Sequence, residues 1–157
     1  MLHHAVACAQ PGVVIVATLG SYLLTGAWGE ILTVAAQAKG VAGLVVDGAV
    51  RDIEAIEEHG FPVFSRGLAI GSCTKQRLGR LNVPIVVGGV TVCPGDMVIG
   101  NADGIVVLER ARVDQIYDAA MGRRNKEADL IDQLRSGKTT IELLHLPALP
   151  RTGVDGQ

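Results

Sequence analysis

Leu44-Val45-Val46-Asp47-Gly48-Ala49-Val50-Arg51-Asp52 places a β-branched run ahead of small residues and a charged couple. Leu44–Val46 reads as a buried strand, because such runs sit on sheets covered on both faces. Asp47–Asp52 leaves that strand and enters a short helix, Ile53–His59, stopped by Gly60. Upstream, Trp28–Lys39 carries apolar residues at 31, 32, 35, 36 and 38, a helical spacing, and Gly40 ends it. Before it, Val13–Ala17 is a second β-branched run, Gly20–Ala27 a loop, and Leu2–Ala9 a helix cut short by Pro11-Gly12. Downstream, Pro62–Ser65 makes a third strand. The order is strand, helix, strand, helix, strand, an α/β pattern whose ligands gather at the carboxyl edge of the sheet.

The rest of the chain changes character. Gly71–Leu81 is a polar, basic loop. Short β runs follow at 84–87, 90–92, 97–99 and 105–108, divided by Gly88-Gly89, Pro94-Gly95-Asp96 and Asp103-Gly104. Ala111–Arg135 is a long amphipathic helix closed by Gly137, and the tail from Pro147 is expected to be loose. With 157 residues, one domain over 1–146 is expected, with a flexible tail over 147–157.

Composition narrows the function classes. Aromatics are only 3%, so the core must be built of Val, Ile, Leu and Ala. A net charge of −2 offers no basic stripe, which argues against nucleic acid as a partner. Ala5–Gly29 carries no charge, but Gln10-Pro11-Gly12 and several polar residues break it, so neither a membrane span nor a secretory signal is expected and the cytoplasm is the default location. Cys8, Cys73 and Cys93 form no CxxC and are expected to be buried thiols in a reducing compartment. His3 and His4 are expected at the surface rather than on a metal. Ser136-Gly137-Lys138-Thr139 ends like a phosphate loop, but its first glycine is missing and it follows a helix.

Two segments can carry chemistry. Arg51-Asp52 presents a planar cationic fork and a hard oxygen at a strand end, suited to an enolate or carboxylate and to Mg²⁺. Equally, Asp52 could cap the Ile53 helix and Arg51 could pair with Glu54 or Glu30. Gly29-Glu30-Ile31-Leu32 opens a helix whose free N–H groups suit an anion, while Glu30 could simply stabilise the helix start. If the two segments face each other they form one site.

WGEILTVAAQAKGVAGLVVDGAVRD, with GFPVFSRG, VGGVTVCPGDMVIGNADGIVVLER and NKEADLIDQLRSGKTTIELL, resembles the RraA-like family. More closely it resembles the branch of 4-hydroxy-4-methyl-2-oxoglutarate / 4-carboxy-4-hydroxy-2-oxoadipate aldolases. That branch carries an acidic residue, twenty residues, then Arg-Asp; here these are Glu30 and Arg51-Asp52. The resemblance implies a β/β/α swivelling-domain sandwich, a homotrimer or hexamer, and a small 2-oxo acid substrate. It implies a class II pyruvate aldolase with oxaloacetate decarboxylase side activity, dependent on Mg²⁺ or Mn²⁺. Asp52 would be the direct metal ligand. Glu30, and Glu127 from a neighbouring subunit, would hold metal-bound waters. Arg51 would contact the substrate carbonyl, and Gly29, Glu30, Ile31 and Leu32 its carboxylate. Two departures are visible: Ala55 stands where a further carboxylate is common, with Glu54 one step early, and the family's early helices and strand have no counterpart before Leu2. Some relatives are regulators that inhibit RNase E and generally lack the acidic residue and the Arg-Asp pair, which favours the enzyme here.

Overall fold

Every residue of Gly43–Val50 is buried, so this strand has protein on both faces. In the computed structural model, which describes residues 1–74, 79–147 and 149, it is the centre of a parallel three-stranded sheet. The elements of this first unit are α1 (Leu2–Cys8), β1 (Val14–Thr18), α2 (Glu30–Ala38), β2 (Gly43–Val50), α3 (Ile53–Glu58) and β3 (Val63–Leu68). Two antiparallel hairpins follow, β4 (Ile85–Val87) with β5 (Val90–Val92), and β6 (Met97–Asn101) with β7 (Gly104–Leu108). The sheet order is β1-β2-β3, with α2 and α3 as the crossovers.

One face of β2 supplies Leu44, Val46 and Val50 to a core completed by Val6, Trp28, Leu32, Ala36, Ile56 and Phe61 from the helical side. Each fully buried large side chain there contributes about 1.5–3 kcal/mol. Trp28 stacks on Phe61 with ring centroids 6.1 Å apart, and its Nε1–H donates to Thr33 Oγ1 at 2.8 Å. Two of the five aromatics, Trp28 and Phe61, are therefore in the core beside the expected aliphatics, while Tyr22 and Tyr117 are exposed. The other face, Val45, Asp47 and Ala49, is buried too. On β3, beside Val45, the Phe64 ring lies against Gly100 of β6. Helices on one face and a β-rich layer on the other make the α/β, β/β/α sandwich.

The glycine stops act through left-handed backbone. Gly40 (φ 70°) and Gly60 (φ 63°) let the next residue turn back, so that Val41 and Phe61 donate to the carbonyls of Ala36 and Ile56. The expected strand Leu44–Val46 is too short. Asp47–Val50 stays in the sheet, and the break signalled by Asp47-Gly48 is a register shift against β3 between Val46 and Ala49. The third strand likewise runs past Ser65 to Leu68, and α2 begins at Glu30 rather than Trp28. In α2 the buried residues are Leu32, Thr33 and Ala36, while Ile31 faces outward. The expected thiol burial is corrected as well: Cys8 and Cys93 are exposed and Cys73 is half-buried. Cys8 is the last residue of α1, and Cys93 sits in the turn closed by its N–H on Asp96 Oδ2. His3 and His4 are exposed, as expected.

The second unit begins at Ala111. Its long helix α4 (Val113–Arg135) buries none of its own residues within the described chain. Glu127 holds Arg123 at 2.7 Å and raises that guanidinium's pKa further through the hydrogen bond and the charge. Gly137 closes α4, and Thr139 caps α5 (Thr140–Leu143) in a reciprocal capping box with Glu142. Ser136–Thr139 is thus a helix stop followed by a helix cap. The expected loose tail falls largely on residues outside those described, as does the middle of the Gly71–Leu81 loop.

Candidate active site

β2 ends at Val50 and delivers Arg51 and Asp52 beside the start of α2. Segment 26–28 holds the strand end in place. Gly26 bridges Ala49 in parallel, Ala27 donates to the Ala49 carbonyl at 2.9 Å, and Arg51 N–H donates to the Trp28 carbonyl at 2.8 Å. A Cβ at Gly26 would meet the Ala69 carbonyl and Arg51, so only glycine allows this approach.

Asp52 adopts a left-handed backbone (φ 57°, ψ 42°). A non-glycine residue holds such a conformation where its surroundings fix it, at a cost of about 1 kcal/mol. The turn sends its carboxylate away from α3, which receives no side-chain cap from it. Instead Oδ2 accepts the Glu30 N–H, the first amide of α2, at 3.1 Å. Asp52 therefore stabilises the helix before it in sequence rather than the one after it. Its Oδ2 also lies 3.5 Å from Arg51 Nε as an ion pair, while Oδ1 has no partner among the described residues.

Arg51 pairs with neither Glu54 nor Glu30. Its Nη1 donates to the Gly26 carbonyl at 3.0 Å, its Nε faces Asp52, and its Nη2 has no protein acceptor among the described residues. The guanidinium is tethered at one end and offers a donor at the other. Gly29 is buried, and a Cβ there would run into Asp52 Oδ2. Among the described residues nothing accepts from the N–H groups of Gly29, Ile31 and Leu32. The couple and the helix start therefore meet in one place, which offers three free amides, a free Nη2 and a free carboxylate oxygen.

Glu30 turns its side chain to His59, with Oε1 3.3 Å from Nε2. Glu127 lies on α4 in the second unit, on Arg123. Sequence reading missed His59, because nothing local ties it to a residue 29 positions earlier. It also missed Asp47, a buried carboxylate held by Arg66 Nε at 2.8 Å and Ser21 Oγ at 3.1 Å. A charged residue inside a β-branched run was the available signal.

The donor set fits one kind of cation. No three His, Cys, Asp or Glu side chains converge among the described residues, which does not suit a closed zinc site. The free carboxylate oxygen on Asp52 suits a hydrated Mg²⁺ or Mn²⁺, which takes one or two carboxylates and keeps waters.

Residues 1–107 match the family described as RraA-like, Aldolase/RraA. The chain belongs to the RraA-like family. A Halalkalibacterium halodurans protein named "Putative 4-hydroxy-4-methyl-2-oxoglutarate aldolase" is 39% identical over 121 residues, which cover 77% of this chain and 56% of that protein. This chain thus spans little more than half of that relative's length. The crystal structure of an uncharacterized protein from Pseudomonas syringae pv. tomato superposes with a TM-score of 0.83 at 31% identity, covering 87% of this chain and 64% of that one. Streptomyces coelicolor RraAS2, described as an unusual member of the RNase ES inhibitor RraA family, gives 0.74 at 32% identity, covering 81% and 65%. RraA-like proteins therefore include a relative named for an aldolase and one named for an inhibitor. No helix among the described residues is long and apolar enough to cross a membrane.

Proposed function

We propose that this RraA-like chain is a divalent-metal-dependent pyruvate aldolase. Its substrate would be 4-hydroxy-4-methyl-2-oxoglutarate or 4-carboxy-4-hydroxy-2-oxoadipate, with oxaloacetate decarboxylation as a side activity. The observation that carries the reading is the Asp52 carboxylate seated on the first amide of α2 with Arg51 alongside. The resemblance names Asp52, Glu30 and Arg51 for this chemistry, and the Asp52 contacts with the Glu30 backbone amide and the Arg51 guanidinium support that reading.

The amides of Gly29, Ile31 and Leu32 receive the substrate carboxylate, helped by the positive end of the α2 dipole. Glu30 N–H is already engaged by Asp52 and is withdrawn from that role. Asp52 Oδ1 would hold Mg²⁺ or Mn²⁺, with Glu30 and a neighbouring subunit's copy of Glu127 on its waters. The cation would supply Lewis-acid polarisation of the 2-oxo group. Arg51 Nη2, which has no protein acceptor among the described residues, would donate to the same 2-oxo oxygen. A water molecule acting as base takes the proton of the C4 hydroxyl, and C4 becomes the carbonyl of the departing 2-oxo acid. The C3–C4 bond breaks, its electron pair moves toward C2, and that proton is the one later returned to C3. Negative charge then grows on the oxygen that Arg51 meets, and a fixed donor there supplies about 2.7–4 kcal/mol. Protonation at C3 gives pyruvate. Loss of CO₂ from oxaloacetate leaves the same charge on the same oxygen. Exposed apolar residues around the site, including Leu24, Ile31 and Ile70, support assembly into the expected trimer or hexamer.

The test is pyruvate release from 4-hydroxy-4-methyl-2-oxoglutarate with Mg²⁺ and with EDTA, beside an RNase E cleavage assay. Release that requires Mg²⁺ is expected. Inhibition of RNase E with no pyruvate formed in any metal would replace this reading with the regulator.

A further inference from the structure

His59 has no place in the chemistry above, yet it grips α2 twice. Its ring Nε2 lies 3.3 Å from Glu30 Oε1, and its backbone carbonyl accepts from Gln37 Nε2 at 2.8 Å. Glu30 and Gln37 are seven residues apart, two helical turns, so both contacts fall on one stripe of α2. The end of α3 that carries His59 is itself fixed, because Gly60 N–H donates back to Glu57 and Phe61 is buried in the core. The ring is therefore presented from a rigid support to the first side chain of α2.

Glu30 needs such a support. Its side chain is half exposed and long, and left alone it samples several rotamers. Its own N–H holds Asp52, so its carboxylate hangs from the residue that seats the proposed metal ligand. A carboxylate that orients metal-bound waters works only when another group fixes its direction. We infer that His59 is a positioning residue: it holds the Glu30 carboxylate for a divalent cation at Asp52, and the Gln37 contact is the purely structural half of the same grip. This inference rests on the metal-dependent reading above.

The two halves of the grip can be separated. In the full chain, His59→Ala removes the ring but keeps the carbonyl contact. Gln37→Ala removes the carbonyl contact but keeps the ring. His59→Gln puts an amide N–H back near the Nε2 position. Mn²⁺ binding, read from the free-ion EPR signal, is measured with the Mg²⁺ concentration for half-maximal pyruvate release and the melting temperature. His59→Ala should weaken Mn²⁺ binding about tenfold, in the range for such outer partners, and raise the Mg²⁺ requirement in step. His59→Gln should recover most of the loss, and Gln37→Ala should bind Mn²⁺ like the parent even if its melting point falls. Parental Mn²⁺ binding by His59→Ala would overturn the inference. So would an equal loss in Gln37→Ala, which would make the grip structural only, or a parent chain that binds no Mn²⁺. A parent that binds Mn²⁺ and releases no pyruvate fails the aldolase reading alone, and the positioning role is then judged on the Mn²⁺ values.

Discussion

Gly29→Ala isolates the contact on which the site is built. The backbone at Gly29 is extended (φ −161°, ψ −166°), so alanine meets no conformational barrier there. The obstacle is the new methyl, which would collide with Asp52 Oδ2 and sit 3.1 Å from Arg51 Cγ and 3.2 Å from its Nε. The carboxylate must retreat by about 1 Å to reach ordinary van der Waals separation. Its bond to Glu30 N–H, already 3.1 Å long, would then fall outside hydrogen-bonding range. The lost charged hydrogen bond costs about 1.5 kcal/mol, the low end of its range for a half-exposed group. Reduced unfolded-state freedom returns roughly 0.4–1 kcal/mol of that. The fold should barely notice. The chemistry should, because a 1 Å misplacement of reacting groups costs about 10²-fold in rate. The assay pairs the pyruvate release rate with the urea unfolding midpoint. Turnover within a few-fold of the parent, with the midpoint unchanged, would refute the claim that the Asp52 seat on α2 matters to the reaction.

Other consequences are as direct. Arg51→Lys keeps the charge but loses the fork that uses Nη1 on Gly26 and leaves Nη2 free, so kcat should fall with a loss of about 2.7–4 kcal/mol of transition-state stabilisation; a kcat near the parent's would remove Arg51 from the chemistry. Gly122→Ala places a methyl in open space on α4, and should stabilise that helix by about 0.8–1 kcal/mol, read from far-UV circular dichroism during melting. Thr33→Val leaves the buried Trp28 Nε1–H without its acceptor, and should cost about 1–3 kcal/mol in urea unfolding. Glu142 is held below the usual carboxylate pKa by the Thr139 N–H and hydroxyl. Its support for α5 is therefore complete above the unfolded carboxylate value and lost as pH falls through the lower folded one. The protection factor of the Glu142 amide, its exchange rate corrected for the intrinsic rate at each pH, should fall across that acid window, and Glu142→Gln should remove that fall.

Most of the layered fold was legible because each element carries a local signal. β-branched runs marked β1 and β2, glycine stops marked the ends of α2 and α3, and turn residues separated the hairpins. The misreadings share a cause. Asp47-Gly48 looks like a strand end, but burial between two layers keeps it in the sheet, with Arg66 and Ser21 satisfying the carboxylate. Asp52 before Ile53 looks like a cap for α3, but its left-handed backbone aims it at α2. The Glu30–His59 contact joins two segments by folding alone. The capping box at Thr139 and Glu142, by contrast, was written locally and went unread.

Metal-dependent pyruvate release by the parent chain, set beside Asp52→Asn, separates the carboxylate's charge from its shape. The substitution keeps the shape and an acceptor for Glu30 N–H but removes the charge. The Asp52→Asn protein should melt with the parent, no longer bind Mn²⁺, and release no pyruvate at any Mg²⁺ concentration. Undiminished Mg²⁺-dependent release from that variant would remove the Asp52 carboxylate from the metal site and from the reaction.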